Sequence, residues 1–163
     1  MSDPFPDRHL GLRDKIAWMV ETNGFAIEPV LARPDDDPPQ PGYTYTVGFE
    51  TTFGHPEVVI FGLTPVAASG LLRMIGAHLA GGGGLPVDDE FVGLLDNDLR
   101  SALLPVDVEV RGHLFEGASL WYRGQGYRVL QFVWPDRNGW LPWEPGFDRR
   151  LARAQPVIGA RAD

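Results

Sequence analysis

The residues best suited to acid–base or metal chemistry lie in one short turn, Gly54-His55-Pro56-Glu57. An imidazole two residues from a carboxylate can exchange a proton or bind a metal ion. His55 and Glu57 are therefore the first candidates for a functional site. A structural interpretation stays open beside this one, because a histidine before a proline often bonds a loop carbonyl and a glutamate can cap backbone amides.

A second set of candidates lies in or just after the last predicted strand, and with His55 and Glu57 it completes the predicted ligand-binding residues. This set is Gln131, Asp136, Trp143 and Glu144. If the strand neighbours the apolar run from Val58 to Phe61, the last three residues share one rim with His55. The structural alternative is that Asp136 starts a turn while Trp140 and Trp143 cover an edge of the core. A buried amide at Gln131 needs hydrogen-bond partners in either case.

Several common chemistries are excluded. The chain contains no cysteine, which removes disulfides, thiolate nucleophiles and cysteine-ligated metals. It also contains no Gly-x-Ser-x-Gly elbow, no His-Glu-x-x-His and no dinucleotide fingerprint, so no cofactor or metal is assigned. The catalytic residues of any enzyme here stay unknown, with His55, Glu57, Asp136 and Glu144 as the candidates.

The composition is that of an acidic, globular chain. Its 163 residues suit one domain, with 44% hydrophobic and 22% charged residues. The formal net charge of -8 repels phosphate backbones and anionic lipid headgroups, which argues against nucleic acid and membranes as partners. The longest apolar stretch, Val58 to Leu72, is too short to span a bilayer. The first residues carry acids and prolines instead of a signal sequence, which predicts a soluble, cytoplasmic protein.

The first quarter of the chain predicts a helix, a strand and a loop. Asp7 is placed to cap the helix, which should end at Asn23-Gly24. A strand is predicted between Phe25 and Leu31. The segment from Arg33 to Gly42 combines prolines with three consecutive acids and is interpreted as an exposed connector.

The next segment predicts two strands and a helix. One face of the first strand carries Tyr43, Tyr45, Val47 and Phe49, and the other carries Thr44, Thr46 and Gly48. The run Val58 to Phe61 is apolar throughout and suits a central strand covered on both faces. Thr64-Pro65 then begins a helix with an apolar stripe, which ends at the glycines from Gly81 to Gly84.

The second half predicts further strands and a short helix. Residues 85–105 are mixed, with a loop and a short helix near Asp96. From Val106 to Val110, valines alternate with charged residues, which predicts a strand with one exposed face. Glu116 to Tyr122 predicts a short helix, and Arg128 to Trp134 predicts an apolar strand.

These elements predict a single α+β domain over residues 1–163. Its sheet should be mostly antiparallel or mixed, with about five strands packed against three to four helices.

Two separated blocks of sequence resemble a known family. The first contains Tyr45-Thr46-Val47-Gly48, Phe53-Gly54-His55-Pro56-Glu57 and Phe61-Gly62-Leu63, and the second contains Gln131-Phe132-Val133-Trp134-Pro135-Asp136, Gly139 and Pro142-Trp143-Glu144-Pro145-Gly146-Phe147. In this order they resemble the bacterial family named domain of unknown function 4262, over roughly residues 15–157. The resemblance implies kinship and brings with it no established activity, cofactor or catalytic residue.

Two functional hypotheses follow. The first is a non-catalytic binding or interaction module, in which a rim of His55, Glu57, Asp136, Trp143 and Glu144 holds a small polar ligand or a protein partner. The second is a hydrolase-like enzyme, metal-assisted in one version, with His55 as general base or metal ligand. The enzyme requires His55 and at least two carboxylates to meet in one concave pocket. A structural role as a homodimer is a third hypothesis.

Overall fold

A computed structural model of the chain describes residues 11–161. Six strands form one sheet: β1 (Ala26–Val30), β2 (Tyr43–Val47), β3 (Glu57–Phe61), β4 (Glu90–Phe91), β5 (Ser101–Val106) and β6 (Val129–Val133). Their order across the sheet is β1-β2-β3-β6-β5-β4. Neighbouring strands are antiparallel except β3 and β6, which run parallel with Val58 opposite Leu130. The sheet is therefore mixed.

Within residues 11–161, five α-helices accompany the sheet: α1 (Leu12–Asn23), α2 (Phe49–Phe53), α3 (Pro65–Ala80), α4 (Val108–Arg111) and α5 (Glu116–Tyr122). The predicted α+β class is confirmed. The sheet has one strand more than the five expected, the two-residue β4, and the helix count exceeds the prediction through the short α2 and α4. Within the described part of the chain, no helix has the length and apolar character needed to cross a membrane.

The core lies on both faces of the central strand β3, whose five residues are all buried. Val59 and Phe61 pack into the cluster that includes residues of α1 and α5, whereas Val58 and Ile60 pack into the cluster that includes α3. Alternate side chains of a strand point to opposite faces, so the apolar run from Val58 to Phe61 is covered on both sides. The prediction of a central, doubly covered strand is confirmed.

The two long helices end and begin where the sequence predicted. Gly24 follows α1 with a φ of 88°, a left-handed conformation that glycine adopts without strain. Thr64 caps α3, since its hydroxyl accepts a hydrogen bond from the amide of Ala67 at 3.2 Å, and Pro65 takes the first helical position. The predicted cap at Asp7 lies outside the described residues.

The predicted extension of β2 to Phe49 is wrong. The strand ends at Val47, Gly48 adopts a φ of 110°, and Phe49 becomes the first residue of α2. Both faces of β2 are covered, because Thr44 and Thr46 are as buried as the aromatic side. The sequence alternation was read correctly as a strand, but it could not show where the glycine would turn the chain.

The predicted strand from Val106 to Val110 is also wrong. β5 runs earlier, over Ser101–Val106, and Val108–Arg111 forms α4. The carboxylate of Asp107 accepts hydrogen bonds from the amides of Glu109 and Val110 at 3.0 and 3.3 Å. This cap starts a helical turn, and it outweighs a valine pattern that is too short to distinguish strand from helix.

Candidate functional site

The parallel pair of β3 and β6 gives the sheet two distinct ends. Because the strands run in the same direction, Glu57 and Val129 lie at one end, and the residues after Phe61 and Val133 lie at the other. We call these the amino end and the carboxyl end of β3. The predicted site residues are divided between them.

Glu57 lies at the amino end and is 1% exposed. Its carboxylate accepts hydrogen bonds from the hydroxyls of Thr46 and Tyr122 and from the backbone amides of Gly48, Phe49 and Glu50. The three amide contacts measure 3.0 to 3.2 Å and come from the start of α2. Amides at a helix start lack partners within the helix, so Glu57 supplies the cap that α2 needs. The structural interpretation of Glu57 thus accounts for both of its oxygens.

Burial raises the pKa of Glu57 to about 7, because a carboxylate removed from water loses stabilisation of its charged form. The hydrogen bonds that it accepts from Tyr122, Glu50, Thr46 and Phe49 lower the pKa and oppose this effect. Burial and the charge of Glu57 raise the pKa of Tyr122, so the phenol keeps its proton and stays a donor. The carboxylate of Glu57 therefore titrates while buried in the fold.

His55 lies on the loop between α2 and β3. Its Nδ1 is 2.7 Å from the carbonyl oxygen of Pro56, which can only accept, so Nδ1 carries the proton. Nε2 is buried and has no hydrogen-bond partner among residues 11–161. Burial lowers the pKa of His55, and the positive charge of Arg128 acts in the same direction. Both effects favour the neutral form of the imidazole, which makes no hydrogen bond to a carboxylate among residues 11–161.

An ion pair between Glu50 and Arg128 covers the amino end. Nε and Nη2 of Arg128 donate to the two carboxylate oxygens of Glu50 at 3.0 and 2.7 Å, and the backbone amide of Arg128 donates as well. The hydrogen bonds from Arg128 lower the pKa of Glu50. The carboxylates of Glu50 and Glu57 are thus both engaged, and this end of the sheet is closed.

Asp136 lies beyond the carboxyl end of β6 and is 2% exposed. Its carboxylate accepts hydrogen bonds of 2.9 Å each from the backbone amides of Asn138, Trp140 and Asp148. Its carbonyl accepts a further hydrogen bond from the amide of Gly139, which closes the predicted turn. Asp136 therefore organises the loop that follows β6, as its structural alternative expected.

Glu144 and Trp143 hold the next part of that loop. Glu144 accepts a hydrogen bond from the amide of Leu141 at 2.8 Å, and both of its oxygens meet the guanidinium of Arg100. The ring of Trp143 packs on the small core cluster around Leu141, and the guanidinium of Arg161 lies 4.3 Å from the ring centroid. These contacts fasten the loop to the edge of the sheet near β5.

Gln131 is fully buried in β6 and holds the last described segment of the chain against the sheet. Its Nε2 donates to the carbonyl of Pro156 at 2.8 Å, and its Oε1 accepts from two amides further along at 2.8 and 3.0 Å. Gln155 likewise accepts a hydrogen bond from the backbone amide of Trp134 and donates one to its carbonyl. We call residues 152–160 the tail. The prediction that Gln131 needs buried partners is confirmed.

The expected rim that joins His55 to Asp136, Trp143 and Glu144 is wrong. β6 does neighbour β3, as the rim required, but the parallel pairing places His55 at the amino end and the other three at the carboxyl end. Among residues 11–161, no three side chains of histidine, aspartate or glutamate come together as a metal site. Ligand binding by the individual residues of the predicted set stays a prediction.

A groove of about 920 Å³ opens at the carboxyl end of β3. It is enclosed by the connector between β1 and β2, the turn between β3 and α3, and the tail. Its apolar walls include Leu31, Pro38, Pro41, Tyr43, Leu63 and Pro65. Binding sites for small molecules usually measure roughly 300–1,000 Å³ and are mainly apolar, with a few polar groups. The groove meets both criteria.

Gly62 is the point at which the walls of the groove meet. Its φ is 84°, and its amide donates to the carbonyl of Gly42 in the connector at 3.0 Å. A Cβ at this position would lie 2.7 Å from the carbonyl oxygen of Ala154 in the tail. The indole of Trp134 donates to the carbonyl of Phe61 at 2.7 Å beside it. Glycine is needed here both for its backbone conformation and for the close approach of the tail.

No pattern in the sequence predicted this groove. The sequence predicts an exposed connector from Arg33 to Gly42, and none of the predicted site residues lines the groove. Gln131 contributes only indirectly, because it holds Pro156, which does line the groove. The cluster of prolines in the connector was the available signal, since stiff, apolar loop residues can form a preformed wall.

The sequence of the chain also matches a family model. A family model described as Domain of unknown function (DUF4262) matches residues 19–148. The matched range contains the connector, the amino end of β3 and the loop after β6, whereas the tail lies beyond it. Comparison with the curated proteins and with the solved structures finds no match.

Proposed function

Since the chain belongs to the DUF4262 family, a family of unknown function, we propose a role for it from its own geometry. It is a non-catalytic binding module that takes a small, largely apolar ligand in the groove at the carboxyl end of β3. The groove itself carries this proposal, because its volume and apolar lining suit a small molecule. The polar ligand expected from the sequence is replaced by an apolar one, since the polar candidates do not line the groove.

The walls of the groove favour binding because they are already ordered. Prolines restrict the connector, the hydrogen bond from Gly62 to Gly42 holds it near the turn after β3, and Gln131 holds the tail. When the walls of a site are already ordered, they lose less conformational entropy as the ligand binds, and the affinity is higher.

The enzyme alternative has less support. General acid–base chemistry needs groups that can reach a substrate, whereas the carboxylates of Glu57, Asp136 and Glu144 each accept hydrogen bonds from backbone amides. His55 lies at the opposite end of β3 from the groove, and within residues 11–161 it has no carboxylate partner. These observations favour binding without catalysis.

A titration with Nile red, a neutral apolar fluorophore, tests the proposal. We expect saturable binding with one site on the native chain, and at least roughly tenfold weaker binding to Leu31→Asp, because a charge in an apolar site costs free energy. Leu31 is 74% exposed, so the variant should fold normally. Absence of saturable binding by the native chain would contradict the proposal.

The matched control is Val110→Asp. Val110 is 62% exposed and lies in α4, at the end of the sheet opposite the groove. This variant carries the same new charge as Leu31→Asp. Nile red should bind it as tightly as the native chain, and equal losses in both variants would show that the dye binds elsewhere.

A further inference from the structure

The groove contains one charged residue among those that line it, Arg153. The side chain is exposed, and no carboxylate among residues 11–161 pairs with it. Arg100, Arg128 and Arg150 have such partners, whereas several other arginines, Arg111 among them, resemble Arg153 in having none within the described residues. What distinguishes Arg153 is its location on the wall of an apolar groove, in a chain with a net charge of -8.

Another wall of the groove contains the start of the 16-residue helix α3. Thr64 and Pro65, the cap and first residue of the 16-residue α3, both line the groove. The first turn of α3 contains no acidic residue that would neutralise the positive end of the helix. Arg153 and the positive end of α3 thus both line the groove.

The surroundings limit how much negative charge a ligand can carry. The connector beside the groove contains Asp35, Asp36 and Asp37, of which Asp36 pairs with Arg33. These acids and the overall negative charge would repel a ligand with several anionic groups. A single negative charge next to an apolar body fits both the local cation and the wider field.

We propose that the ligand of the groove is a monocarboxylic amphiphile, whose carboxylate lies near Arg153 and whose apolar body lies along the connector and the turn after β3. This inference rests on the proposed binding function and specifies its ligand class. The apolar contacts supply affinity, and the charge supplies the preference for an acid over a neutral molecule.

Competition against bound Nile red, measured with decanoate and with decanol, tests the ligand class. The two molecules have the same chain and differ in charge. We expect decanoate to displace the dye at a roughly tenfold lower concentration than decanol at low salt, because an exposed ion pair and a helix start each add a modest contribution. Added salt should narrow this difference.

The variant Arg153→Gln assigns the preference to its residue. It should reduce the affinity for decanoate about threefold to fivefold and leave that for decanol unchanged, since only the exposed ion pair is lost. Arg111→Gln is the control, because Arg111 is an exposed arginine at the opposite end of the sheet and its loss removes the same charge.

The outcomes separate the ligand class from the binding function. Equal displacement by decanoate and decanol, with no effect of Arg153→Gln, would overturn the ligand class and leave the groove as an apolar binding site. Failure of Nile red to bind the native chain saturably would overturn both, and calorimetry should then show no binding heat for decanoate or decanol either. A matching loss in the Arg111 variant would also overturn the role of Arg153.

Discussion

At the amino end of β3 a buried carboxylate is surrounded by donors, whereas at the carboxyl end the chain leaves an apolar groove open. Glu57 accepts hydrogen bonds from two hydroxyls and three backbone amides and ties α2 and α5 to the sheet. The groove beyond Phe61 has walls of proline, leucine and tyrosine that no described residue covers. Polar residues close one end, and apolar residues remain accessible at the other.

The two ends of β3 differ in a way that residue type alone does not reveal, because a residue type suited to chemistry does not show whether the side chain is free. The carboxylates whose residue type suits acid–base chemistry, Glu57, Asp136 and Glu144, accept hydrogen bonds from backbone amides that would otherwise lack partners. The residues without apparent chemistry form the accessible cavity. A buried polar group and an exposed apolar patch both need an explanation, and here the first is structural and the second is the candidate for function.

The largest expected effect is at the closed end. Glu57→Ala leaves the amides of Gly48, Phe49 and Glu50 and the hydroxyl of Thr46 without their acceptor. We expect the free energy of unfolding to fall by about 3–5 kcal/mol, measured by urea denaturation at pH 7.5. Glu116→Ala, at an exposed glutamate at the start of α5, should change it by less than about 0.5 kcal/mol. If Glu57→Ala lowers the free energy of unfolding by less than about 1 kcal/mol, the prediction is wrong, because water then satisfies the freed donors as well as the carboxylate does.

The pH dependence of stability tests the same carboxylate. Its pKa is raised from 4.5 to about 7 in the fold, so the folded chain keeps a proton that the unfolded chain has lost. The free energy of unfolding should therefore fall as the pH rises from 4.5 to about 7, by about 3 kcal/mol, and Glu57 should add no slope outside this window.

Glu57→Gln is the comparison for this measurement. Glutamine does not titrate, so the difference in slope between the native chain and the variant isolates Glu57 from the other acids. Identical slopes across the window would show that the five donors cancel the effect of burial on the pKa.

At the carboxyl end of β3, the addition of one methyl group at Gly62 should lower the free energy of unfolding. Gly62→Ala places an alanine at a left-handed φ that is strained for it and brings its Cβ into contact with Ala154. Gly124→Ala places an alanine at a similar φ, 82°, but no atom lies within 4 Å of the new Cβ. We expect a loss of unfolding free energy of about 1–2 kcal/mol for Gly124 and of about 2–4 kcal/mol for Gly62. Only Gly62→Ala should also weaken Nile red binding, because it displaces the tail.

The smallest effect is predicted for the ion pair that covers the closed end. Glu50→Gln weakens the contacts with Arg128, which is largely exposed, and the free energy of unfolding should fall by about 0.5–1 kcal/mol. The change should shrink in 1 M salt, where such pairs are screened. Nile red binding should not change, and a change would show that the two ends of β3 are coupled.

Much of the fold could be predicted from local patterns. The apolar run at Val58 to Phe61, the Thr64-Pro65 start of α3 and the Asn23-Gly24 end of α1 each carry their own physical signal, and each is confirmed. The failures lie where one residue redirects the chain. Gly48 ends β2 early, and Asp107 starts α4 in place of a strand.

Much less of the candidate site could be predicted. The sequence indicated that Gln131 and Asp136 need partners, but it did not show that those partners are the tail and the turn. The predicted rim required β3 and β6 to be adjacent, which is confirmed. It also required the start of β3 and the end of β6 to lie at the same edge of the sheet, which is wrong because the two strands are parallel. The direction of β6 relative to β3 depends on the whole connection between them, which runs through α3, β4, β5, α4 and α5, and on the packing of the sheet.

The sequence by itself determined the class of the domain, its family, its lack of cysteine chemistry and its negative charge, because these depend on composition and short-range patterns. Only the tertiary structure decided which polar groups are occupied and where apolar surface stays open. Both depend on contacts between segments far apart in the chain, such as Gly62 with Ala154 and Glu57 with Tyr122. Such contacts leave no periodic signal in the residues that make them.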